Sequence, residues 1–306
     1  MRIILQLMVI AFVALACSGQ AKTSHSTEED IFRKEVAERS DAEVQFITID
    51  SGLRSVVAID YVSTDNSLFI VEQGRNRILK IDERGVRTDS LGRRGLGDYR
   101  FDAPSSIDAT NGLQIFVADR NNARVQIFER RLSYLSTITP PSDRQGINPV
   151  FFRPEAITVN NFGDIFVYDA ESEQLLKYDR NGRFQLSVSL SVFDLELPIR
   201  SITSFEDRLF LLEKGRGLFH EITAQGGYRG FAAASSGLRA FYIHGEQIWG
   251  ATDSDLIVFN LNGRPLHRFT HNITSRIQGI AVSRNQVYVV TSAALKTIEK
   301  PVTKAF

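Results

Sequence analysis

Four short apolar runs in this chain end in an acid: LFIVE at Glu72, IFVAD at Asp119, IFVYD at Asp169 and LFLLE at Glu213. Asn76 follows the first, and Asn121 and Asn122 follow the second. Arg54, Arg153, Arg200, Arg239 and Arg276 stand just ahead of a second set of apolar runs. A guanidinium is a planar fork of donors that fits a carboxylate or another oxyanion bidentately. Arginines and acids gathered on one rim could recognise a polar partner, or could saturate one another as structural ion pairs. Catalytic chemistry is harder to find. There is no nucleophile elbow, phosphate-cradling loop or paired-histidine motif, and Gly95-Leu96-Gly97 reads as a flexible connection. Asp60, Asp108 and Asn160 lie in or just after apolar runs, where Asp/Asn turn chemistry suffices to explain them. No catalytic residue and no metal ligand is assigned.

The elements that must position these groups repeat. LFIVE, IFVAD, IFVYD, LFLLE, IWGAT (248–252) and VYVVT (287–291) align with one another. The runs before them begin near Val57, Ile107, Ile157, Ile202, Phe241 and Ile280, at a step that shortens from about 50 to about 39 residues. Third strands follow, from RILKID (77–82) to LKTI (295–298). Six such units, none able to bury both faces alone, predict an all-β, six-bladed β-propeller with four-stranded antiparallel blades. Phe116, Phe166, Phe210, Trp249 and Tyr288 share one repeat position and are expected to pack between blades. The last blade lacks room for a fourth strand, so Val44–Ile49 is expected to supply it and close the ring. The beginning of each inner strand and the end of each second strand then share one face, called the top. The long connections 92–104 and 140–154 belong to it too. They make the sector of blades 1–3 the expected place of recognition. Arg93 and Arg94 there read as solvated loop charges, and Tyr99, Phe101, Phe151 and Phe152 as residues that dip under the loops and cap the next blade, with partner contact as the alternative for both sets.

The fine pattern resembles the NHL family of propellers. The resemblance is closest in Leu91–Phe128, where GRRGLGDYRFDAP leads into SSIDATNGLQIFVADRNNARVQIF; it recurs well in 153–182 and loosely in the other blades. Thr252 and Thr291 replace the acid in the last two. The resemblance covers roughly 44–298 and implies the fold, while the family's functions range over sensors, scaffolds, RNA binders and lyases. Its lyase branch holds zinc through histidines from several blades, and zinc takes three or four ligands. His25, His220, His244, His267 and His271 show no such clustering by position. Lactonase-like, metal-dependent propellers use acids and Asn around the channel, which would give Asp60, Asp108 and Asn160 that role.

Residues 1–16, MRIILQLMVIAFVALA, form an apolar run that is short for a bilayer span and ends in small residues, as an export signal does. The only cysteine, Cys17, follows directly, and a small residue before Cys resembles a bacterial lipobox. The expected organisation is a signal peptide at 1–16, a polar tether lipidated at Cys17 over 17–42, and the propeller at 43–306. This places the protein at the bacterial outer membrane, or in the periplasm if Cys17 is not lipidated. Lysine and arginine together number 36, as do aspartate and glutamate, so no global basic field draws nucleic acid. The functional expectation is a non-enzymatic binding scaffold of the cell envelope, without a cofactor. Its top face, with the arginines, acids and asparagines named above, would meet an envelope protein, peptide or glycan. The alternative is a metal-dependent lyase or lactonase-like hydrolase with calcium or zinc in the central channel.

Overall fold

The computed structural model describes residues 42–140, 152–234 and 237–302. The expected signal peptide, Cys17, His25, most of the expected tether and Phe151 lie outside the described residues. Within them the chain is all-β, and its four-stranded sheets make a six-bladed propeller. The inner strands are Val56–Val62, Pro104–Asp108, Pro154–Val159, Ile199–Phe205, Ala240–His244 and Ile277–Val282. Each pairs antiparallel with a second strand: Ser67–Glu72, Gln114–Asp119, Ile165–Asp169, Arg208–Glu213, Gln247–Ala251 and Gln286–Thr291.

Why the blades stack is visible in the apolar clusters. Each of six wedges joins neighbouring blades and holds the aromatic of the shared second-strand position: Phe69, Phe116, Phe166, Phe210, Trp249 or Tyr288. All six are at most 2% exposed, as their shared position predicts. Several carry a cation over the ring, with Lys80 at 5.5 Å from Phe69 and Arg208 at 4.8 Å from Phe210.

Closure is more elaborate than one strand. Ile47–Ser51 pairs antiparallel with Ala294–Glu299 and completes blade 6, as expected. Ala42–Val44, however, runs parallel to Pro265–His271 as a fifth strand on blade 5. Asn272 breaks the predicted 44–49 strand in two. Its Oδ1 accepts the Phe46 N–H at 2.8 Å and its amide donates to the Phe46 carbonyl at 3.2 Å. The peptide is turned there, and the Phe46 ring drops into the wedge between blades 5 and 6. On its other side the closing segment meets blade 1. Arg87 forks onto Asp50 at 2.7 and 2.8 Å. Gly85, at φ +90°, lies so close that a Cβ would sit 2.4 Å from the Ile49 carbonyl oxygen. One ten-residue stretch therefore touches three blades.

Candidate functional site: the top face and the channel mouth

The strand-end acids form a repeated clasp. Glu72, Asp119, Asp169 and Glu213 are at most 1% exposed. Each accepts the N–H of a residue just before the inner strand of its own blade: Arg54, Asp102, Arg153 and Glu196, at 2.7–2.8 Å. Remaining oxygens take donors from the following turn. Glu72 binds Arg75 and Arg77; Asp119 binds Asn122 and Arg124; Asp169 binds Ser172; Glu213 binds Arg216 and His220. The four carboxylates thus shape the face from beneath. Burial raises the Asp119 carboxyl above the ordinary range against the pull of Asn122, the Asp102 N–H and Arg124. For Glu213 burial acts in the same sense, but Arg216, the Glu196 N–H and His220 prevail and hold it low. In blades 5 and 6 the turns are shorter, and Thr252 and Thr291 cap them through Oγ1 to the Asp255 and Ala293 N–H groups.

In the expected recognition sector, the described 92–103 connection is held close to its blade. Asn122 donates to the Gly95 carbonyl at 2.8 Å, Arg124 to Gly97 and Arg100, and Gln126 to Arg100. These bonds pull the 92–103 connection down onto blade 2. Phe101 and Phe152 are buried at 0% and 2%, whereas Tyr99 stays 44% exposed and packs against Phe128 and Tyr134. Arg94 reaches Asp102 at 3.6 Å, and Asn121 donates to Asp102 at 3.3 Å.

The top-face arginines are spread around the ring. Arg54 and Arg153 are exposed on the top face, Arg153 within 3.5 Å of Glu171. Arg200, Arg239 and Arg276, one from each of blades 4, 5 and 6, feel one another electrostatically. Burial first, and then the like charges of Arg276 and Arg239, pull the Arg200 guanidinium below its usual range, with Asp253 opposing. Asp253 is claimed by Arg239 at 2.6 Å. The Arg200 Nε is buried without an acceptor. Arg200, Arg239 and Lys214 line the top of a central channel of about 240 Å³.

Asp60, Asp108 and Tyr242 line the same channel near the opposite ends of the inner strands. They stitch blades together. Asp60 accepts from the Ala109 N–H of blade 2 at 2.6 Å, and Asp108 from Thr158 Oγ1 and the Val159 N–H of blade 3 at 2.9 and 2.8 Å. Ser204 of blade 4 donates its N–H to Thr158 Oγ1 at 3.0 Å. Asn160 caps its own turn through Phe162 and Asp164. Burial raises both aspartates above the ordinary 3.8, with Asp108 adding to the effect on Asp60. A carboxyl whose folded pKa is raised holds extra protons in the folded state between the unfolded and folded values. Its contribution to stability therefore falls as pH rises through that window. Relative to Asp60→Asn, the native chain should gain stability as pH is lowered from about 7 toward about 4.5. Denaturant midpoints of the two proteins across that range would check this, and a constant difference would mean that Asp60 titrates normally.

Among the described residues no three His, Cys, Asp or Glu side chains are grouped to hold a metal ion. His220 is buried between Glu213 and the Tyr228 hydroxyl, 2.8 Å from each. His271 lies against Phe46, and His267 is stacked on Phe269.

A family model for the NHL repeat matches residues 101–128. No curated protein matches the chain. Solved structures that share the architecture include a streptogramin B lyase, at 13% identity and a TM-score of 0.59, over 83% of this chain and 98% of that one. The WD40 repeats of RRP9 align at 9% identity and 0.61, over 86% and 99%. A chain of a nidogen/laminin complex aligns at 15% and 0.58, over 74% and 84%. At such identities the likeness establishes the propeller fold alone.

Proposed function

We propose that this protein is a recognition module: a rigid propeller of the bacterial envelope, tethered through lipidated Cys17, that binds a protein, peptide or glycan on its top face. One observation carries the reading. The strand-end carboxylates are consumed in clasps, while among the described residues Arg54, Arg200, Lys214 and Arg276 form no ion pair and the Arg200 Nε lacks an acceptor. Charge left unpaired on a rigid rim suits complementary docking, because it steers encounter and fixes register without moving the scaffold. Fold likeness does not choose between binding and catalysis: propellers of similar shape appear both in a nidogen/laminin complex and in a streptogramin B lyase.

The test is a crosslinked pull-down from intact envelopes with the native chain, an Arg153→Glu/Arg276→Glu variant and a Cys17→Ala variant. The native form should capture one dominant partner and sediment with membranes. The double variant should keep its fold and lose the partner, and Cys17→Ala should release the protein from the membrane fraction. Capture unchanged by the double variant would remove the top face from consideration.

A further inference from the structure

We propose that the mouth of the central channel is an oxyanion site, in which Arg200, Arg239 and Arg276 hold a carboxylate or phosphate group carried by the ligand. This deepens the recognition reading and rests on it for the choice of face. Three successive blades each deliver a guanidinium at the start of the inner strand, Arg239 and Arg276 just before it and Arg200 second within it. Arg200 and Arg239 line the channel mouth, and Arg276 stands near enough to act on Arg200 electrostatically. Lys214, in the turn after the Glu213 clasp, adds a fourth cation. Against these stand two lining or neighbouring acids, and both are engaged: Asp253 with Arg239 at 2.6 Å, Glu155 with Arg120 at 3.3 Å. Among the described residues Arg200, Arg276 and Lys214 form no ion pair.

Arg200 is the decisive member. It is only partly exposed, and its Nε is buried with no acceptor. A buried donor left without a partner forfeits its hydration with nothing in return, and such groups in native proteins call for an explanation. An oxyanion in the mouth supplies the missing acceptor and the missing charge together. Like charges from Arg239 and Arg276 already weaken the Arg200 guanidinium's hold on its proton, and an anion would relieve that repulsion. The channel is also the right size for a group rather than a molecule. Its volume of about 240 Å³ falls below the roughly 300–1,000 Å³ that encloses a drug-sized ligand. Farther in stand Asp60 and Asp108, whose carboxyls would oppose deeper entry of an anion. The ligand would thus lay an acidic end into the mouth and leave its body on the top face.

The experiment is calorimetric titration of the purified full-length chain, in detergent, with inorganic phosphate, with citrate and with an uncharged sugar. At least one anion should bind, and the sugar should not. Affinity should fall at least about tenfold in Arg200→Gln, the scale of one charge-assisted hydrogen bond. It should also fall as ionic strength rises from about 0.01 M to about 0.15 M, where the Debye length shrinks from about 30 to about 8 Å. Arg276→Gln, at an exposed position, serves if Arg200→Gln does not fold. Arg84→Gln, on the opposite face, should bind as the native chain does. Phosphate alone binding assigns a phosphorylated ligand, citrate alone an acidic one, and both the shared chemistry. No binding of either anion, or binding indifferent to both arginine variants, would overturn the site. If the envelope partner were still captured, the recognition reading would survive that result; anion binding without any captured partner would sink the partner instead.

Discussion

Phe46→Ala is expected to destabilise the propeller by about 3–5 kcal/mol, the usual cost of removing a buried phenylalanine ring. Phe46 is 3% exposed and packs in a wedge shared by Ala240, Trp249 and Val258 of blade 5 and Ile277, Val282 and Ile298 of blade 6. The cost should exceed that of a cavity elsewhere in one blade, because Phe46 sits between the two strands that the N-terminal segment contributes. Losing it weakens the Ile47–Ser51 pairing that joins the ends of the ring. Hydrogen exchange should accordingly speed up first in Ile47–Ser51 and Ala294–Glu299, before the wedges of blades 2–4 open. Equilibrium unfolding with residue-resolved exchange is the measurement. A loss under about 1 kcal/mol, or uniform acceleration around the ring, would show that closure does not depend on this residue. Asn272→Ala should follow the same pattern more mildly, since it removes two hydrogen bonds to the Phe46 peptide and leaves the ring in place.

The second large effect is expected at Asp119. Its carboxylate, 0% exposed, takes the Asp102 N–H at 2.8 Å, Asn122 Nδ2 at 2.8 Å, Arg124 Nε at 2.9 Å and Gln126 Nε2 at 3.3 Å. Asp119→Ala removes the counter-ion of Arg124, whose side chain is 12% exposed, and leaves its Nε and several other donors unsatisfied. Breaking one half of a buried pair typically costs about 3–5 kcal/mol. Asp119→Asn should lose less, because the amide oxygen can still serve one or two of the donors. Blade 5 provides the contrast. Thr252→Ala removes only a hydroxyl cap on a three-residue turn and should cost about 1 kcal/mol. If Asp119→Ala and Thr252→Ala shift the denaturant midpoint equally, the clasp is not the stabilising element argued here. Asp119→Ala should also free the 92–103 connection, so limited proteolysis near Gly95 would report the same loss locally.

These two residues differ in how far they could be read in advance. Asp119 stands in a repeat whose period is strong, and its burial follows from alternation along a strand. Whether it met a partner or its own turn depended on donors that the fold brings back from position 102, seventeen residues earlier. Phe46 belongs to no repeat, and its role appears only when residue 272 reaches it from the far end of the chain. The arginines tell the same story. Their shared place before the inner strands is a local property of the sequence, sufficient to put them on one face. Loop length made blades 1–3 the expected sector, yet Asn122, Arg124 and Gln126 hold the 92–103 connection down.

What the chain determined by itself, then, is what period and alternation carry: six blades, four strands in each, the shared aromatic of five wedges, and the face on which arginines and acids gather. Short-range pattern suffices there because each blade solves the same packing problem with the same side-chain spacing. Tertiary structure alone decided which charges remain available. An ion pair requires two side chains within about 4 Å, and which donors reach that distance depends on how the turns and connections fold back, not on strand period. Glu72, Asp119, Asp169 and Glu213 found donors in their own turns and were buried. Arg200, at the mouth of the channel, found none.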